Sequence, residues 1–345
     1  MSNLAGTYSF LPWLRQGIAN KITAATVLRG AIRVRLELSG EALNGGALTE
    51  SITRDVELFG PGDVAGIDNR AIVRIEPRDW ITNFEPNYLP AIEFYDEDFP
   101  WRYTPAAPDA ATKRLLPWIA LVVLKEGEFG EGVNIKDKPL PFIKVSDTNL
   151  FPPAEQIWAW AHVHVNGSLD NGIVSTNMDV VLANLQATLN KNPDLAYSRI
   201  VCPRKLEENA AYHAFLVPAF ETGRLAGLGL SLDPAKIPGA THSAWAGYAG
   251  RPEPEHYPVY FRWFFRTGTI GDFEYLARLL QPKPVDSRVG QRDMDTRRPG
   301  SNLPGIDNPD LGGVLRLGGA LRVPEISLNQ QELDEAKKYE EWDQL

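Results

Sequence analysis

A chain of 345 residues is long enough to bury a substantial core, and its length suggests about two domains. Charged residues at 23% and apolar residues at 43% are globular values that argue against disorder, and a net charge of −9 argues against nucleic acid as the main partner. The single cysteine, Cys202, excludes an intrachain disulfide and a cysteine-rich zinc site, and fits folding in a reducing compartment.

The opening MSNLAGTYSF lacks the basic region of a secretory signal, and no apolar run reaches the roughly 18 residues of a membrane span, so a cytoplasmic protein is expected. Residues 10–22 set Leu14, Ile18 and Ile22 four apart, which predicts a short helix with Pro12 in its first turn. Residues 31–38 alternate, with Ile32, Val34, Leu36 and Leu38 on one face and Arg33, Arg35 and Glu37 on the other. Asn44-Gly45-Gly46 supplies turn residues, and residues 52–58 return with Ile52, Val56 and Leu58 on one side. A third strand at 71–76 completes an antiparallel sheet expected to be wet on one face only.

Residues 84–124 place two strand-like runs, 91–95 and 118–124, around an acidic, aromatic and proline-punctuated loop. Aromatic residues with arginine are common interface anchors, so Tyr95, Phe99, Trp101, Arg102 and Tyr103 form a candidate contact tip, held by the buried strand 118–124. Internal core under a loop is the alternative. Glu93, Asp96, Glu97 and Asp98 are close enough to suggest acid–base chemistry or a hard cation, yet they lack calcium-loop spacing. Arg102, four residues after Asp98, reads as a structural ion-pair mate.

The glycine-rich loop at 126–133 matches no phosphate-binding fingerprint. Residues 157–165 alternate as a strand, with Trp158, Trp160, His162 and His164 on one face. Residues 178–191 read as the best helix, with Met178, Val181, Leu182, Leu185 and Leu189 along one side. Strands are expected at 199–201, 211–217 and 258–267, a short helix at 218–228, and a helix after Asp272 through Leu280. Residues 283–324 read as one irregular loop, a length better suited to draping over another subunit than to filling a compact domain. In the tail, Ser327 and Gln330 have capping-box spacing. Leu333, Ala336, Tyr339, Trp342 and Leu345 recur every three residues and drift around a helix, so Tyr339 and Trp342 join the candidate interface.

The expected fold is α+β: mixed, mainly antiparallel sheets with a few short helices and long irregular loops. Three regions are expected: an N-terminal arm and antiparallel sheet (1–83), an α/β core (84–282), and an extended loop with an acidic tail (283–345). Two chemical sites come into question. His162 and His164, two apart on a strand, can reach one metal ion, with Glu93, Asp96 or Asp98 as a third ligand, and so open the alternative of a metal-dependent enzyme; otherwise they simply pack on a sheet face. Cys202 with His213 has the elements of a nucleophile and base, but Cys202 ends an apolar run, where an inert buried thiol is the default. No G-x-S-x-G occurs, and the residues indicate no enzyme, no cofactor and no metal.

Four segments, WRYTP at 101–105, LPWIALVVL at 116–124, VCPR at 201–204 and FLVPAFETGRLAGLG at 215–229, together resemble a group of bacterial proteins of contractile, phage-tail-like injection systems. The likeness covers residues 84–282. It implies a non-enzymatic structural protein of a virion-like assembly: the cap ring that closes tube and sheath, or a baseplate component. Implied partners are further copies of the chain in a homo-oligomeric ring, commonly a hexamer, and tube, sheath or baseplate proteins. The particle would assemble in the cytoplasm and be membrane-associated or released, without direct membrane insertion. The family brings no catalytic motif to transfer.

Overall fold

The computed structural model describes residues 8–15, 17–112, 114–132, 138–166, 178–271, 273–281, 291–295, 297, 302, 304–305, 314–318, 328–334 and 337. The chain divides into two units, Met1–Asp272 and Phe273–Leu345, so the break falls ten residues before the expected one at 282. No break separates the N-terminal region from the central one, because strands on either side of residue 83 share sheets.

In the first unit the strands are β1 (Tyr8–Leu11), β2 (Ile22–Ala25), β3 (Gly30–Glu41), β4 (Ala47–Glu57) and β5 (Ile72–Glu76). They continue with β6 (Ile81–Phe84), β7 (Ala91–Phe94), β8 (Ile119–Lys125), β9 (Gly130–Glu131) and β10 (Phe142–Lys144). Next along the chain are β11 (Ala161–Asn166), helix α1 (Met178–Lys191), β12 (Ala196–Val201), β13 (Ala211–Pro218) and helix α2 (Glu221–Gly227). β14 (His256–Pro258) and β15 (Phe261–Thr267) complete the unit. A five-stranded sheet runs β1-β11-β12-β7-β5 and a four-stranded sheet runs β6-β15-β13-β8; β14-β10-β9 and β2-β3-β4 are three-stranded. Among the described residues only β6 and β15 pair in parallel, so the fold is α+β with mainly antiparallel sheets and few short helices.

β8 explains how the layers are held. Its residues Ile119 to Leu124 are all buried, and alternate residues enter different clusters. Ile119, Leu121 and Val123 join Ile92 and Phe94 of β7, Val163 of β11 and Leu185 of α1. Ala120, Val122 and Leu124 join Phe215 and Val217 of β13, Ile143 of β10 and Tyr257 of β14. A strand covered on both faces must be apolar throughout, and that is why its sequence shows a continuous run rather than alternation. α1 occupies the expected span, and Val181, Leu185 and Leu189 face the core at helical spacing.

Several expectations are corrected. Residues 10–22 are no helix: β1 pairs antiparallel with β11 and a 3₁₀ turn occupies Gly17–Lys21. The four-residue spacing does not mark a shared face, since Leu14 is buried while Ile18 is exposed. The edge of β11 offers backbone hydrogen bonds that an isolated helix of that length cannot match. Ala154–Trp160 is a 3₁₀ helix after Pro152-Pro153, so Trp158 and Trp160 do not share a strand face with the histidines. β5 belongs to the five-stranded sheet beside β7, not to the sheet of β3 and β4.

The second unit contains helix α3 (Phe273–Leu279) and the antiparallel pair β16 (Gln291–Asp295) and β17 (Val314–Gly318), so part of the expected irregular loop is a ladder. A helical turn begins at Gln330. Its capping box uses Asn329 and Glu332, two residues beyond the expected pair: the Glu332 amide donates to Asn329 Oδ1 at 3.0 Å, and the Asn329 amide to Glu332 Oε2 at 2.9 Å.

Candidate functional site

The aromatic loop is built around two buried indoles. Trp101 and Trp118 are wholly inaccessible. Trp118 Nε1–H donates to the Phe99 carbonyl at 2.7 Å, and Trp101 Nε1–H to the Leu115 carbonyl at 3.2 Å. Phe99 is buried as well and stacks on Phe94, with ring centroids 4.4 Å apart. These contacts correct the expected contact tip: Phe99 and Trp101 are core residues, because carbonyls within the loop satisfy the indole N–H groups and let the rings leave water. Tyr103 is half-buried, edge-on to Trp118 at 5.0 Å. Arg102 bridges Asp98 at 2.6 Å and Asp96 at 2.8 Å, so the predicted ion pair with Asp98 forms. Of that group only Tyr95 is exposed. Tyr339 and Trp342 lie outside the described residues.

Nothing in the sequence pattern signals that Arg15 closes this loop from the other side. Its guanidinium is buried and donates to the Thr104 carbonyl at 2.7 Å and the Ala106 carbonyl at 2.8 Å. Burial pulls its pKa down to about 10, which leaves it charged at neutral pH.

His162 and His164 stand side by side on β11, with ring centroids 4.5 Å apart. Phe10 meets His164 edge-on at 4.6 Å, Tyr197 stacks on it at 4.8 Å, and Tyr197 Oη lies 3.2 Å from His164 Nδ1. Glu93, offered as a third metal ligand, is engaged by Arg199, whose Nε lies 2.8 Å from Oε1. Asp96 and Asp98 are held by Arg102. Among the described residues no group of three or more His, Cys, Asp or Glu side chains is placed to hold a metal ion.

Burial depresses both imidazoles, His162 to about 4 with Arg199 contributing, and His164 to about 3 with His162 and Arg199 contributing. The unfolded chain therefore binds protons here that the folded chain refuses. The stabilising effect is complete above about pH 6.5 and is lost as pH falls from there toward the folded values. The variant H162Q/H164Q is expected to show a flatter fall in Tm between about pH 6.5 and about pH 4.5 than the wild type. Thermal melts across that range check it, and identical slopes would refute it.

The second chemical candidate separates into packing residues. Cys202 is buried and its thiol is pushed up to about 11 by that burial, the opposite of nucleophile activation. His213 packs against Phe129 and Phe264 at 5.2 and 5.0 Å, and no hydrogen bond joins it to Cys202 among the described residues.

The segment at 215–229 codes for a buried charge network. α2 is one short helix in which Glu221, Thr222, Gly223, Arg224 and Leu225 are all inaccessible or nearly so. Arg224 Nε and Nη2 each donate to a different carboxylate oxygen of Glu221, at 2.6 and 2.7 Å. Its remaining N–H groups donate to the carbonyls of Pro252, Glu253 and His256 at 2.8 to 2.9 Å. Tyr248 Oη donates to Glu221 Oε1 at 2.9 Å, and Arg251 Nε lies 3.6 Å from Oε2. Every donor of the Arg224 guanidinium is thus used, and the network ties α2 to the segment leading into β14. The glycines of the same segment allow close approach: a Cβ at Gly227 would lie 2.7 Å from Pro258.

A cavity of about 420 Å³ lies between Leu116, Glu155, Ile157, Phe220, His242 and Ser243. His242 Nε2 is 3.3 Å from the Ala246 carbonyl and Ser243 Oγ accepts from the Trp245 amide, so these two groups are turned to the local chain.

The β3–β4 hairpin behaves differently from the rest of the unit. Strands of 12 and 11 residues extend about 40 Å at the usual strand rise, and β2 supports only the base, reaching Ile32. In the ladder, cross-strand partners share a face. One face carries Arg33 opposite Asp55, with an ion pair at 2.8 Å, and Arg35, which binds Glu37 at 2.9 Å. The other carries Val34, Leu36, Leu38, Leu48, Ile52 and Val56, each between 42% and 58% exposed. The alternation predicted from sequence is present, but the apolar side is not covered.

Compared with family models, curated proteins and solved structures, the chain matches none of them. No helix among the described residues is long and apolar enough to cross a membrane.

Proposed function

We propose that the chain is a non-enzymatic structural subunit of a contractile, phage-tail-like injection particle, acting in the cap ring that closes tube and sheath. The uncovered apolar face of the β3–β4 hairpin carries this reading. A two-stranded ribbon is marginal alone in water, and a row of six large apolar side chains along one needs something to lie on it. The ionisable groups with catalytic potential offer less: Glu93, Asp96 and Asp98 are engaged by arginine, His162 and His164 are depressed by burial, and Cys202 is raised by it. The family-like words in residues 84–282 add the particle context.

The test is mild pull-down of the tagged chain, expressed in its native cell, with the companions identified. A sheath or tube protein of one particle is the expected companion. A folded chain that retrieves no tube, sheath or baseplate protein would sink the proposal, and a baseplate protein alone would move the chain to that end.

A further inference from the structure

We propose that the apolar face of the β3–β4 hairpin is covered by the same face of a second copy of this chain, related by a two-fold axis that crosses the strands at the Leu36–Ile52 pair. This names the partner of the face on which the assembly reading rests. Two charges point to it. Arg54 and Glu50 are the only charged residues on that face between the Ile32–Val56 and Gly40–Leu48 pairs. Both are exposed, and neither has an ion-pair or hydrogen-bond partner among the described residues, whereas Arg33, Arg35 and Asp55 on the opposite face are paired.

They are also placed symmetrically. Leu36 faces Ile52 at the centre of the row; one step toward the base the pair is Val34–Arg54, and one step toward the tip it is Leu38–Glu50. Turning a second hairpin about an axis across the strands lays β3 on β3 and β4 on β4 with their directions reversed. Leu36 then meets Leu36 of the second copy and Ile52 meets Ile52. Val34 falls over Leu38, Val56 over Leu48, and Arg54 over Glu50, twice. Gly40, which has open space around it, falls over Ile32 at the crowded base.

Face-to-face sheets lie about 10 Å apart, a gap that an arginine and a glutamate together can span. The two pairs sit on β4, the outer strand, where water keeps access and the desolvation cost stays small. An axis running along the strands instead would set Arg54 on Val34 and Glu50 on Leu38, burying each charge against an apolar side chain. The charge pattern therefore selects the first arrangement. Such a contact is isologous: it closes after two copies, so ring contacts would use other surfaces.

Charge reversal tests this. The full-length wild type is expected to sediment as a dimer, or as even-numbered assemblies, at micromolar concentration. R54E and E50R are each expected to weaken self-association by about tenfold or more, since like charges then face each other at both pairs. An equimolar mixture of R54E and E50R is expected to restore dimers, because every facing pair across the mixed dimer is then opposite in sign. The double variant R54E/E50R is expected to self-associate like the wild type. If a single reversal folds poorly, R54Q and E50Q remove the pairs without repulsion and are expected to weaken association more modestly. A wild type that stays monomeric to about 100 µM, single reversals that associate normally, or a mixture that fails to recover would each overturn the proposal. Pull-down is read separately: a monomer that still retrieves tube or sheath proteins overturns the self-pairing and leaves the assembly reading, and a dimer that retrieves none does the reverse.

Discussion

Replacing Glu221 by alanine is expected to destabilise the protein by about 3–5 kcal/mol, the usual cost of leaving a buried charge without its counter-ion. Arg224 would keep its three carbonyl acceptors, but its positive charge would face no carboxylate, in a site from which water is excluded. Tyr248 would lose the acceptor of its hydroxyl at the same time. In a unit of this size each kcal/mol is about 2–4 °C, so Tm should fall by roughly 10 °C. Arg251, 3.6 Å from the same carboxylate, is expected to matter less. The double variant E221L/R224M should recover part of the loss, because replacing both partners removes the stranded charge. Calorimetry of the three variants decides it: an E221A variant melting within about 2 °C of wild type would show that the network is dispensable.

Trp101→Ala is expected to cost about 3–5 kcal/mol through the cavity left by an indole, with a further penalty for the Leu115 carbonyl that loses its donor. Tyr95→Ala, four residues before the stacked Phe99, is expected to change stability by no more than about 0.5 kcal/mol, because its ring is exposed. Urea titration of both variants separates core from surface in a loop whose composition suggests one role for all its rings. Equal effects for the two would contradict the placement of Trp101. A W101A variant that fails to assemble would do so by unfolding, and its melting curve would show it.

Legibility from sequence depends here on whether the signal is local. The continuous apolar run 118–124 announces a buried strand, and the spacing of Val181, Leu185 and Leu189 announces α1, because periodicity and burial come from the same residues. Residues 10–22 mislead because their conformation is decided by β11, some 150 positions away, which pairs with β1. The aromatic loop is ambiguous for a related reason. Sequence shows that Trp101 is large and apolar, and only the fold shows that carbonyls wait for its N–H. Glu221 and Arg224, three apart in a helix, can be flagged as a pair, but nothing local says that both are out of water. In the hairpin the opposite holds. Alternation correctly assigns the faces, yet it does not follow that the apolar one is covered within the chain, because period reports which side differs and not what lies against it.

The two hydrophobic clusters of the first unit are expected to come apart together, and β8 is the reason. One strand supplies Leu121 and Val123 to one cluster and Val122 and Leu124 to the other, and both clusters also draw on β13, its neighbour in the ladder. Neither cluster can melt while the other keeps its geometry, since losing either strips one side of the same two strands. The two cores are therefore a single cooperative unit in thermodynamic terms, with β8 and β13 as the last segments to open, while the distal hairpin, sharing neither cluster, is free to fray without cost to them.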